Sequence, residues 1–300
     1  MSSAFGNQPA LPQQLRFYHS TEDYCHLIDS LRFEFSHDHQ TRLGSAFHSL
    51  RAVSTEAMNE VLAYLQSDNE APIHIHIAEQ QKEVEDCLAW STKRPVEWLL
   101  EHHDMDSRWC LVHATHMNTS ECTSLANSKA IVSLCPTTEA NLGDGIFPLG
   151  EYLDYGGQIA IGSDSNSSVS PVEELRWLEY VQRLSTRKRN VLSDETEASC
   201  GASLLKHALS GGAQACAQNI GAIATGCRAD ILFLDHESEQ LVGKPLKHLL
   251  DSFIFGGNMN LVRDVMTSGR WVVKDFEHFR QTDISGNYKD TIKNIYQNIV

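Results

Sequence analysis

An α/β fold built on a parallel sheet, followed by a smaller β-rich segment, is predicted by three observations. From about residue 43, short apolar runs alternate with amphipathic stretches at the spacing of βαβ units. One helix is announced by its own start signals at residues 171–186. The tail then changes character, from the helical stretch LLKHALSGGAQACA to short strands separated by turns.

The elements follow in order. SAFHSLRAV is strand-like, and VSTEAMNEVLAYLQS is helical. IHIHIAE reads as a strand, with EVEDCLAW and PVEWLLEHH as the helical segments after it. WCLVHAT, AIVSLCP and QIAIGSDS are three further strands with helical stretches between them. For the helix at 171–186, Ser170 can cap, Pro171 suits the first position and Glu173 completes a capping box. Val172, Leu175, Leu178, Val181 and Leu184 supply its apolar stripe. In the tail, GAIATGCRADILFLD and NLVRDVMTSGRWVVKD predict short strands, with a final helix near 286–298. Two domains result, at 1–222 and 223–300.

Composition narrows the function classes. The 300 residues are 41% hydrophobic with a formal net charge of −15, which disfavours nucleic acid as a partner. No apolar run reaches 18 residues, so no membrane-spanning helix is expected. The N-terminus lacks the pattern of a secretory signal. The eight cysteines are scattered without a C-x-x-C pair and read as reduced thiols. A cytoplasmic protein is the expectation.

Three strand ends carry the chemistry. On IHIHIAE, His74 and His76 share a face because alternate strand residues do. His76 lies nearer the C-terminal end, where (β/α) barrels place their sites, and Glu79 follows at the start of the loop. An imidazole with a carboxylate three residues on offers a metal ligand beside a proton carrier. Both histidines could equally be hydrogen-bonded interior residues. His113 ends WCLVHAT and Asp164 follows QIAIGS; each alone reads as structural, an ordered imidazole or a turn carboxylate. Together they form a constellation of types that ligate zinc and move protons.

HxxE on one strand, a lone His on the next and SD on the last resembles the amidohydrolase superfamily, in its single-zinc aminohydrolase branch. The strings HSLRAV, HIHIAEQQKEVEDCLAW, RPVEWLL, WCLVHATH, CPTTEANLGDGIFP and GSDS…SPVEELRWLEY resemble the formimidoylglutamate deiminase family over about residues 12–275. The resemblance implies a partial (β/α)8 TIM-type barrel, strands four to eight, with a small incomplete C-terminal β subdomain. It implies hydrolysis of N-formimino-L-glutamate to N-formyl-L-glutamate and ammonia, with one Zn2+ per site. His76 and Asp164 become metal ligands, with Asp164 also taking a proton from the attacking water. Glu79 shuttles a proton to the leaving nitrogen, and His113 orients the water. His48 and Arg51 hold the glutamate part of the substrate, Arg being suited to a carboxylate. Without the resemblance, Arg51 would be a surface salt bridge and His48 a structural hydrogen bond.

The chain also departs from that pattern. The branch carries an HxH on its first barrel strand, far upstream of HxxE, whereas 75 residues precede His76 here. The one other HxH, His37-Asp38-His39, lies in the polar stretch FSHDHQTR and reads as an exposed turn. Asn166 stands where many members carry His. The expectation is therefore impaired activity for the chain alone, acting as a homo-oligomer or with a complementing N-terminal segment. Two alternatives stay open: a guanine- or adenosine-type deaminase, and a non-catalytic remnant that binds no zinc.

Overall fold

The computed structural model describes residues 4–193 and 198–297. The chain divides into two compact units, Met1–Asn219 and Ile220–Val300.

The first unit contains five parallel strands whose order in the sheet is their order in the chain. These are β1 (Ser45–Phe47), β2 (Ile73–Ile77), β3 (Trp109–His113), β4 (Ile131–Leu134) and β5 (Gln158–Ile161). Parallel neighbours need long crossovers, and helices supply them. Helix α1 (Thr21–Glu34) precedes β1, and α2 (Thr55–Leu65) follows it. Helices α3 (Gln81–Ser91) and α4 (Pro95–His102) link β2 to β3, and α5 (Thr119–Ser128) links β3 to β4. Helices α6 (Pro136–Leu142) and α7 (Leu149–Asp154) lead to β5, after which come α8 (Pro171–Thr186) and α9 (Cys200–Ala215). This succession is that of part of a (β/α) barrel.

Alternation along β2 decides which side chains stay available. Ile73, Ile75 and Ile77 are fully buried on one face, while His74 and His76 are half-buried on the other. The end of α9 then closes the N-terminal end of the sheet. His74 donates from Nε2 to the Ala215 carbonyl at 2.8 Å, and Gln214 donates to the carbonyls of Ser107 and Lys129, both at 2.9 Å. Gly211 permits this packing, since an added Cβ would stand 1.9 Å from the Ile159 carbonyl oxygen. His74 is committed to structure. His76, two residues further along, is left for the open end.

Two predicted features are drawn differently by the structure. The strand predicted over SAFHSLRAV ends at Phe47, because the Ser49 carbonyl accepts the amides of Ala52 and Val53 and turns the chain. HSLRAV is thus a loop at the C-terminal end of β1. At α8, Ser170 caps through the Glu173 amide at 3.3 Å, with Pro171 in the first turn. The Glu173 carboxylate, however, accepts from the Ser168 hydroxyl and does not close the capping box.

The second unit is a four-stranded antiparallel sheet in chain order: β6 (Ile231–Leu234), β7 (Val262–Thr267), β8 (Arg270–Lys274) and β9 (Glu277–His278). Ser268 and Gly269, with φ of 49° and 75°, make the tight turn between β7 and β8. Helix α10 (Leu249–Phe255) lies between β6 and β7, and α11 (Gln281–Gln297) follows β9. The final helix starts five residues before its predicted position near 286. Gly286 makes that start hard to foresee, since glycine is a poor helix former. Residue 298, the predicted end, lies outside the described residues.

Candidate metal and catalytic site

The C-terminal ends of β1, β2, β3 and β5 bring the predicted residues together, and the backbone is unusual there. Ala78 follows β2, His113 and Ala114 end β3, and Asp164 and Asn166 follow β5. All five are non-glycine residues with φ between 48° and 70°. Such conformations cost about 1–3 kcal/mol each and persist where surrounding contacts impose them.

His76 is oriented by the loop after β1. Its Nδ1 lies 2.9 Å from the His48 carbonyl, which also accepts the His76 amide at 3.2 Å. A carbonyl can only accept, so Nδ1 carries the proton and Nε2 keeps its lone pair. The His48 ring lies 5.6 Å from that of His76, with its own Nδ1 3.0 Å from Ser49 Oγ. Burial, together with His76 and Arg51, holds the His48 imidazole below its usual range.

His113 is 1% exposed, and its ring stacks at 5.7 Å from that of His76. Nδ1 lies 3.2 Å from Glu139 Oε1, and Nε2 lies 3.6 Å from Glu79 Oε1. Burial alone would push His113 down. The Glu139 hydrogen bond and the charges of Glu79, Glu139 and Asp164 outweigh it and hold the imidazole above its usual range. Glu79 is half-buried, and burial pushes its carboxyl up against the opposing pull of His113. Its amide donates to Glu83 Oε2 at 3.1 Å, fixing the loop.

The ligand atoms of His76, His113 and Asp164 all lie within 4.8 Å of one another. Asp164 is the exposed member, facing the open end. Imidazole and carboxylate are donor types that hold divalent metals such as zinc. Both histidines engage Nδ1 with an oxygen acceptor, as metal-bound imidazoles do with the nitrogen turned away from the ion. The donor set therefore fits a divalent cation. A second group, His113, Cys135 and Glu139, is equally close and fully buried. It shares His113, and its proximity follows from the Glu139 hydrogen bonds to His113 and to the Cys135 amide.

Other predicted residues fall where their loops carry them. Arg51 is exposed on the loop after β1 and makes no hydrogen bond or ion pair with a described residue. Its charge still reaches Glu83 and His48. His37 and His39 lie in an exposed turn that Asp38 closes through the Gln40 amide and the Thr41 hydroxyl, and neither joins a metal-competent group among the described residues. Asn166 takes the Ser163 hydroxyl at 2.9 Å.

Glu139 escaped the sequence reading. It is 6% exposed on the short helix α6. The string CPTTEANLGDG hints at burial, with an acid one turn into a helix directly behind an apolar strand, but nothing in it names His113 as the partner.

The amidohydrolase family model matches residues 17–272. A formimidoylglutamate deiminase of Pseudomonas aeruginosa is 50% identical over 276 residues, which is 92% of this chain and 60% of that protein. A 5-methylthioadenosine/S-adenosylhomocysteine deaminase of Thermodesulfovibrio yellowstonii is 29% identical over 70% of this chain and 47% of its own length. Among solved structures, an amidohydrolase from Brucella melitensis superposes with a TM-score of 0.92 at 41% identity, covering 98% of this chain and 64% of that one. An adenosine deaminase from Xanthomonas campestris, solved with bound zinc, shares the fold at a TM-score of 0.79 and 23% identity, covering 91% of this chain and 62% of that one. The chain thus spans 60% or less of the length of these two curated relatives.

Proposed function

The chain belongs to the amidohydrolase family, and from that premise we propose that it hydrolyses N-formimino-L-glutamate to N-formyl-L-glutamate and ammonia. The observation that carries the reading is the convergence of His76, His113 and Asp164 within 4.8 Å, with Glu79 beside His113. The choice of substrate is supported by the 50%-identical deiminase and by Arg51, which pairs with no described residue.

His76 and Asp164 would hold one zinc ion, with His113 alongside. When bound, zinc supplies a Lewis acid that makes a water molecule more acidic. Asp164 takes a proton from the attacking water as its oxygen bonds to the formimino carbon. His113 orients that water. Glu79 relays the water's two protons to the terminal =NH, first the one taken by Asp164 and then the one left on the new hydroxyl. The remaining C–N single bond breaks, its electron pair leaves on ammonia, and the carbon keeps the deprotonated oxygen as a formyl group. A half-buried carboxyl with a raised pKa suits this shuttle, because a proton carrier works best when its pKa approaches the working pH. Arg51 is free to grip a substrate carboxylate with both arms of its guanidinium, and His48 stands on the same loop.

The test is ammonia release by the zinc-loaded chain from formiminoglutamate and, in parallel, from adenosine and methylthioadenosine. Turnover of formiminoglutamate alone, stopped by chelation and restored by zinc, is expected. Preference for a nucleoside would overturn the reading.

A further inference from the structure

The tripeptide Thr137-Thr138-Glu139 opens α6, and its three side chains reach three different elements. Thr137, through its amide and hydroxyl, donates to the two oxygens of Glu174 on α8, at 2.9 and 2.6 Å. Thr138 donates to the Ser163 carbonyl at 2.9 Å and accepts the Ser165 amide at 3.2 Å. Those two serines flank Asp164. Glu139 holds the Cys135 amide at 2.8 Å and His113 Nδ1 at 3.2 Å with the same oxygen. All three residues and Glu174 are buried.

We propose that Glu139 is a positioning residue: it holds His113 in the Nδ1–H tautomer, so that Nε2 is the unprotonated nitrogen presented to the site. The inference rests on the functional reading above. His113 and Ala114 sit at φ of 70° and 48°, a pair of left-handed residues that ends β3 and swings the imidazole across towards α6. A non-glycine pair of this kind relaxes unless something holds it. The Ala114 amide is held by the Ile77 and Val112 carbonyls, and the hydrogen bond that holds the His113 ring runs to an acceptor that itself has little freedom. Glu139 is tied to the amide of the residue preceding its own helix, and that helix is tied to α8 by Thr137.

Ionised, Glu139 can only accept, so a proton on His113 Nδ1 is the arrangement that satisfies both groups. Nε2 then faces Glu79 and the shared 4.8 Å cluster with His76 and Asp164. A charge-assisted bond is roughly twice as strong as a neutral one, which fixes the ring plane as well as the tautomer. Thr138 places the Asp164 loop from the same helical turn. One turn of α6 therefore sets two of the three converging donors relative to each other.

Long-range 1H–15N correlation of the histidine rings tests the claim in the full chain, with His113 assigned by its loss in His113→Gln. The wild type is expected to show His113 solely as the Nδ1–H tautomer above its titration range. Glu139→Ala is expected to show a mixture of tautomers. Glu139→Gln keeps the shape and the hydrogen bond to the Cys135 amide while removing the charge. In the zinc-loaded chain its kcat should fall about 10–100-fold, with KM within threefold, zinc content unchanged, and only the carboxylate restoring the rate. An unaltered His113 tautomer in Glu139→Ala, or a Glu139→Gln kcat within threefold of wild type, would overturn the proposal. If the wild type left formiminoglutamate untouched, the substrate reading would fall, while the tautomer measurement would still decide the role of Glu139.

Discussion

Glu79 and Arg51 are the residues whose proposed roles separate most cleanly by kinetics. Glu79 is assigned to proton transfer and stands 3.6 Å from His113 without belonging to the metal-competent group. Glu79→Gln should lower kcat by about 10²–10⁴ while zinc content stays at the wild-type value, read by atomic absorption on the same sample. Arg51 is exposed and unpaired by any described residue, so its removal costs the fold little. Arg51→Ala should raise KM for formiminoglutamate roughly tenfold to a hundredfold, the loss of one ion-paired hydrogen bond of about 1.5–3 kcal/mol. An unchanged KM would return Arg51 to the solvated surface. At this scale the sequence was informative about placement: that His76, His113 and Asp164 stand at or just beyond strand ends was legible because apolar runs lead into them. Glu139 was not, because its role lies in a contact 26 residues away with His113, and no local period reports such a contact.

Among the elements, α9 decides which end of the sheet is open, and two adjacent glycines make that testable. At Gly211 a Cβ would meet the Ile159 carbonyl at 1.9 Å and Ile131 Cδ1 at 2.7 Å, so Gly211→Ala must push helix from strand. A loss of about 1–3 kcal/mol is expected from such overpacking. At Gly212 a Cβ meets nothing within 4 Å, and Gly212→Ala should stabilise by about 0.5–1 kcal/mol through helix propensity alone. Urea unfolding of the two variants beside wild type checks both signs; two changes of the same sign would refute the packing of α9 on β5. Neither glycine can be told from the other in LSGGAQ, since close approach is a tertiary fact. The helices with polar caps, such as α8 behind Ser170 and Pro171, were readable because capping is local. The end of β1 was not, because SAFHSLRAV alternates like a strand while the Ser49 carbonyl turns the chain by accepting two amides.

For the whole molecule, alternation of short apolar runs with amphipathic stretches was enough to predict the parallel sheet, because each crossover helix is encoded within its own segment. The strand order β1-β2-β3-β4-β5 adds what sequence does not state, that five loops share one end and that α9 closes the other. Among the described residues no helix is long and apolar enough to cross a membrane. The central claim is that this shared end is a metal site, and anomalous diffraction at the zinc edge from zinc-soaked crystals tests it most directly. A single strong peak within bonding distance of His76 Nε2 and the Asp164 carboxylate, beside His113, is the predicted result. A peak at His37 and His39, or at Cys135 and Glu139 with none at His76, would contradict it.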